Sequence, residues 1–287
     1  MWTESSARSR QVWVIVFVLF VAAANACSTF QPPDANGPRA DIRQYPVVLV
    51  GDPAREAESL IAWRHLTQTN GSAGQAEIKL SPATGTLQSL PRGLTSPILL
   101  PLVGEPGQTD EHIRESLRRF IGTWRPLIGA DPPELSLVEI IDEPGGVKLA
   151  RYVQRPFRHP LRGGFGNLVI RFTSDRKVID ISSTCLPDAR RLESSLAEIT
   201  PKLTAEDAAN NLTGRSITVP STSVPPLTFT VATLDSISVR DLVVYAKQSS
   251  NQPDSLELHL AWEIDLQNAP VKTIYLDAVE SQVLGAS

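Results

Sequence analysis

Apolar and polar positions fall in short blocks along this chain, and the period of the blocks changes from one region to the next. The first block is a continuous apolar run, Val12 to Ala24, preceded by Arg8 and Arg10 and closed by Ala24-Asn25-Ala26. A basic start, an apolar middle and a small-x-small end predict an export signal over residues 1–26. The run is shorter than the roughly 20 apolar residues that a bilayer-spanning helix needs. Pro, Gly and small polar residues from Ser28 to Pro38 then predict an extended tether over residues 27–45.

Beyond the tether the pattern alternates between strand and helix periods. Val47 to Val50 predicts a strand. Residues 54–66 have helical spacing, with Ala57, Leu60, Ile61 and Leu66 on one side. Glu77 to Leu80 alternates like a strand, and Thr84-Gly85 marks a turn. Pro97 to Leu102 is apolar but holds two prolines, which predicts a connector or an edge segment. Thr109 caps the clearest helix, whose apolar stripe is Ile113, Leu117, Phe120 and Ile121, with Gly122 or Gly129 as its end. Leu135–Ile141, Val147–Gln154, Asn167–Phe172 and Val178–Ser182 follow as an antiparallel meander separated by Pro/Gly/Asp turns. Another helix lies within 200–213, capped by Thr204 with Asp207 at the third position. Strands follow at Thr228–Val231, Leu242–Ala246, Leu256–Asp265 and Lys272–Leu276, with a short apolar one at Val283-Leu284. A helix followed by antiparallel strands therefore occurs twice, which predicts an α+β fold with helices on one face of each sheet.

Composition narrows the chemistry. The 287 residues are 41% hydrophobic and 20% charged, enough for a real core. The net charge of −4 argues against general nucleic-acid binding. Two cysteines and four histidines exclude a disulfide scaffold and a Cys-rich metal site. His65, His112, His159 and His259 are isolated, so no two fall at the i, i+4 spacing of a helical zinc site. Gly71-Ser72-Ala73-Gly74 lacks the spacing of a nucleophile elbow. Cys185 has no acid–base neighbour in sequence and predicts an inert core thiol in a strand. Gly163-Gly164-Phe165-Gly166 lacks the Lys-Ser/Thr pair of a phosphate loop and predicts a wide turn. No catalytic, metal or cofactor site is predicted. The sequons at Asn70 and Asn211 are discounted because the export signal is of bacterial type. What stands out is a run of basic residues, Arg151, Arg155, Arg158, His159 and Arg162, broken by Pro156 and Pro160: such a run is ordinarily a solvated face, and on an otherwise acidic chain it is also a candidate recognition surface.

Two resemblances add to this reading. Ala24-Asn25-Ala26-Cys27 resembles a bacterial lipobox, with Asn25 where a small residue is usual. It implies lipidation of Cys27, attachment to the cell envelope, and a lone thiol at Cys185. Without the lipid the protein would be secreted or periplasmic, and Cys27 could pair with Cys185.

From residue 77 the order of elements resembles the propeptide of thermolysin-like metalloproteases. The resemblance rests on Thr84-Gly85, the helix 110–121, the strand Val147 to Gln154, Gly163-Gly164 and Leu168-Val169-Ile170. A PepSY-like portion follows, with Leu203 to Ala209, Leu242 to Tyr245, Leu260 to Ile264 and Tyr275 to Ala278. It implies two cystatin-like modules in tandem: a propeptide-like domain over 46–190 with an N-terminal extension, and a PepSY-like domain over 198–287. Phe157 to Gly166 departs from the family's Gly and aromatic pattern, and no protease domain follows Ser287 in this sequence. The function implied is a non-catalytic module that inhibits or chaperones a separately encoded extracytoplasmic metalloprotease. It would meet this protein partner through Arg155, Arg158, His159, Arg162, Val283 and Leu284, without nucleic acid or a small-molecule substrate. A structural or interaction lipoprotein of the cell envelope is the alternative.

Overall fold

The computed structural model describes residues 45–72, 77–104, 109–219, 227–231 and 233–287. The predicted export signal, Cys27 and the tether up to residue 44 lie outside the described residues.

In chain order the elements are β1 (Val47–Val50), α1 (Pro53–Thr69), β2 (Lys79–Leu80), β3 (Leu87–Ser89), β4 (Ile98–Leu99), α2 (Asp110–Thr123), α3 (Arg125–Ile128), β5 (Leu135–Glu143), β6 (Val147–Gln154), β7 (Leu161–Arg162), β8 (Asn167–Thr173) and β9 (Lys177–Ser183). After these come α4 (Ala189–Ala197), α5 (Ala205–Leu212), β10 (Ser216–Val219), β11 (Leu227–Thr230), β12 (Ile237–Gln248), β13 (Ser255–Leu266), β14 (Thr273–Asp277) and β15 (Val283–Ala286). Single turns of 3₁₀ helix precede β5 and β12. The fold is mixed α and β, with every strand pairing antiparallel except that of β7 with β12, and is compatible with the predicted α+β class.

Local chemistry starts and stops the helices. Asp52 accepts from the Ala54 N–H at 2.9 Å ahead of Pro53, so α1 begins with both a cap and a proline that needs no partner. Thr109 caps α2 through the His112 N–H, and Thr204 with Asp207 forms a reciprocal capping box on α5. The α2 helix runs past Gly122, and α3 stops at Gly129, whose backbone has φ +82°. A side chain at Gly129 would also meet Thr86 Cγ2 at 2.4 Å.

The first sheet has strand order β4-β9-β8-β6-β5 and is antiparallel throughout. The Pro-flanked segment at 97–102 thus supplies a two-residue edge strand. Its core joins Phe120, Ile121 and Leu127 from the helices to Ala150, Ile170 and Phe172 from the strands. On α1 the buried positions are Ser59, Trp63, Leu66 and Thr67, whereas Leu60 and Ile61 are exposed. The apolar side expected from spacing is therefore corrected. The helix turns Ser59 inward because its hydroxyl donates to the Pro126 carbonyl at 2.8 Å, a contact that apolar periodicity does not register.

The second sheet has strand order β15-β14-β13-β12-β7, with β1 also paired to β13. Its strands β12 to β15 are consecutive in the C-terminal part of the chain, but β1 comes from the start of the described residues and β7 from between β6 and β8 of the first sheet. Val47–Val50 runs antiparallel to Ser255–Leu258, while Leu161 and Arg162 run parallel to Val244 and Tyr245. One face packs on α4 through Leu192 and Leu196 against Val244, Leu258 and Leu260. Ala208 and Leu212 of α5 cover Ile264, Ile274 and Leu276. The other face carries Val243, Ala261, Tyr275 and Leu284.

Candidate functional site

The basic run sits where the chain passes from the first sheet to the second. The β6 strand ends at Gln154, whose side chain is buried and exchanges two hydrogen bonds with the Leu186 backbone, at 2.8 and 2.9 Å. This fixes the start of a connector over 155–160. The connector's Phe157 is buried in the α4 cluster, while Arg155 and Arg158 are exposed and His159 is half-buried.

The charges divide into two groups. Arg162 forks onto Glu263, with Nε to Oε1 and Nη2 to Oε2 both at 3.1 Å. That hydrogen-bonded carboxylate holds the guanidinium even more firmly charged than usual. Arg151 pairs with Glu139 across β5 and β6. Among the described residues, Arg155, Arg158 and His159 have no ionic partner. Arg158 and His159, with Glu193, rim a recess of about 250 Å³ whose walls include Leu196, Ile199, Leu242 and Leu260.

Val283 and Leu284 lie elsewhere. Both are in β15, at the edge of the second sheet opposite to β7. Leu284 is buried against Val243, Ala261 and Tyr275, and Val283 packs on the α5 cluster. The expected surface of six residues is thus not one patch. The structure gathers Arg155, Arg158 and His159 on the connector, neutralises Arg162 within the sheet, and sets the β15 pair at the far edge.

A second polar centre links residues that no local pattern connects. Tyr45, which precedes β1, reaches the end of β14, where its hydroxyl lies 2.9 Å from both carboxylate oxygens of Asp277. The same hydroxyl accepts the Leu260 N–H at 3.1 Å. His259 Nδ1 lies 2.7 Å from Asp277 Oδ2, and the Val279 and Glu280 N–H groups donate to Oδ1 at 2.7 and 2.8 Å. Both His259 and Asp277 are fully enclosed.

Burial alone would raise the Asp277 pKa, but His259, the two N–H groups and the Tyr45 hydroxyl outweigh it and leave it lowered. Burial, with Asp277 beside it, pushes the Tyr45 hydroxyl pKa far up. Every oxygen of Asp277 is engaged, so the chemistry of this centre is to fasten the start of β1 to the second sheet.

Cys185 lies just after β9 rather than within it, fully buried, and burial pushes its thiol pKa up to about 12. Ser72 is buried and hydrogen-bonds Thr95 at 3.2 Å. The Asn70 side chain is spent on the Leu66 carbonyl and the Leu99 N–H. Gly163 and Gly164 form the turn after β7, as their spacing predicted. Among the described residues, no three His, Cys, Asp or Glu side chains come together as metal ligands. In the same residues no helix is long and apolar enough to cross a membrane.

No known family and no curated protein matches this chain.

Proposed function

We propose that this chain is an exported, non-catalytic binding module that inhibits or chaperones a separately encoded extracytoplasmic metalloprotease. In this reading its two helix-and-sheet halves are cystatin-like modules, as in a protease propeptide, and a lipid on Cys27 holds it at the cell envelope. The observation that carries the binding role is the recess beside the connector. Exposed Arg158, without an ionic partner among the described residues, half-buried His159 and Glu193 border a hollow of mixed polar and apolar lining that includes Leu196, Ile199 and Leu242. Aliphatic side chains beside an exposed arginine suit an aliphatic anchor flanked by an acidic group on a protein partner, with Arg158 as the cation free to meet that group. The protease assignment itself rests on the propeptide-like order of elements.

The test is a binding and inhibition titration of residues 28–287 against the secreted metalloproteases of the source organism, with thermolysin as surrogate. Saturable inhibition, weakened about tenfold or more by Arg158→Glu, is expected. Absence of binding to every such protease would overturn the protease role. Envelope pull-downs returning only non-protease partners would then favour an interaction lipoprotein.

A further inference from the structure

A larger cleft lies away from the connector, where the N-terminal end of α1, the segment from α3 to β5 and the start of α4 meet. Its volume is about 800 Å³, within the range of small-molecule sites. Four guanidinium groups line it: Arg55, Arg125, Arg190 and Arg191. Four carboxylates face them: Glu58, Asp131, Glu134 and Asp188. The formal charges cancel, so net field does not distinguish the cleft. The way the donors are used does.

Each ion pair here is long. Arg125 is 3.3 Å from Asp131, Arg190 is 3.4 Å from Glu134, and Arg55 and Arg191 stand 3.4 and 3.7 Å from the same Asp188 oxygen. Glu115, by contrast, holds Arg118 and Arg119 at 2.6 and 2.7 Å on open helix surface. A guanidinium carries five N–H donors in a planar fork suited to two oxygens at once. In the cleft most of those donors are unspent.

Arg55 is the fixed member. Its side chain is only 17% exposed and its stem packs over Gly85, where an added Cβ would lie 3.3 Å from Arg55 Cγ. Its Nη1 is buried with no hydrogen-bond partner, an arrangement that costs free energy until an acceptor arrives. The other three arginines are more than half exposed and free to swing. Arg190 is the most exposed of the four, at 77%, and is held only by the 3.4 Å pair with Glu134, which makes it the easiest cation to recruit.

We propose that this cleft binds a small ligand carrying two or more oxyanion groups, carboxylate or phosphate, with Arg55 as anchor and Arg125, Arg190 and Arg191 closing onto it. None of its lining residues belongs to the basic connector or its recess, so the site stands independently of the protease reading.

The test is calorimetric titration of the mature chain with citrate and with pyrophosphate, at 0.15 M salt. Saturable binding of at least one probe is expected, and the preferred probe separates a carboxylate from a phosphate ligand. Arg190→Gln and Arg55→Gln should each weaken binding roughly tenfold to hundredfold, the loss of one or two charge-assisted hydrogen bonds. Arg119→Gln, outside the cleft, should change nothing. Arg190 is on the surface, so its variant reports on the ligand even if Arg55→Gln fails to fold. No saturable binding of either probe at millimolar concentration, or binding indifferent to Arg190→Gln, would overturn the proposal.

Discussion

Removing the Asp277 carboxylate should loosen the whole second sheet. In Asp277→Ala, the Tyr45 hydroxyl, His259 Nδ1 and the Val279 and Glu280 N–H groups all lose their shared partner. A hydrogen bond to an ionised group is worth about 1.5–3 kcal/mol, but the four donors are not additive because some rehydrate or re-pair. Breaking a buried charged network by deleting one member costs about 3–5 kcal/mol. Domains of ordinary stability have only about 5–15 kcal/mol in total. At about 2–4 °C per kcal/mol for a chain of this size, Tm should fall by about 6–20 °C at pH 7.

Tyr45→Phe removes one donor to Asp277 and the acceptor of the Leu260 N–H, and should cost less, about 1–3 kcal/mol. Circular-dichroism melts of residues 28–287 measure both. The pH dependence carries a sign of its own. The folded Asp277 pKa is lowered, so its contribution is complete above the ordinary carboxylate value and is lost as pH falls through the folded value. The gap between wild type and Asp277→Ala should therefore begin to narrow below about pH 4 and keep narrowing as pH falls through the lower folded value. A Tm within about 2 °C of wild type at pH 7 would show that the network is not what fastens the sheet.

Other consequences are simpler to read. Gly163→Ala should destabilise by more than about 2 kcal/mol in chemical denaturation, because the new Cβ would sit 1.9 Å from the Ala246 carbonyl in a backbone with φ +88°. Cys185 should resist a thiol reagent at pH 8 in the native protein and react at once in denaturant, measured in a Cys27→Ser background. Thr204→Ala should lower stability by about 1 kcal/mol in the same denaturation assay, through loss of the α5 capping box.

Elements with a strong local signature were legible in the sequence. The α2 helix carries its cap and its stripe within one stretch, and the β5–β6 and β8–β9 hairpins announce themselves through Pro/Gly and Asp turns. The α4 helix was not anticipated, although Ala189, Leu192 and Leu196 repeat at helical spacing, because Asp188 enters it with φ +55° and makes no side-chain cap. The two-residue β7 has no pattern of its own and exists only because β12 offers an edge. The basic connector was legible as charge, but pairing of Arg162 with Glu263 and placement of Leu284 depend on strand order. The Asp277 centre joins residues up to 232 positions apart, and no spacing rule reaches that far.

The pairing of β1 with β13 also orders events in time. A chain that emerges N-terminus first presents Val47 to Val50 before the strand that will receive them has been made. Closing so long a loop comes late in folding, when most of the entropy it costs can be repaid by contacts already formed. Until then the opening strand is an unpaired apolar edge, open to holding chaperones and to proteases. A chain cut short of β13 would lack the strand that pairs with Val47 to Val50, so the first strand of the fold depends on the last quarter of the chain having been made.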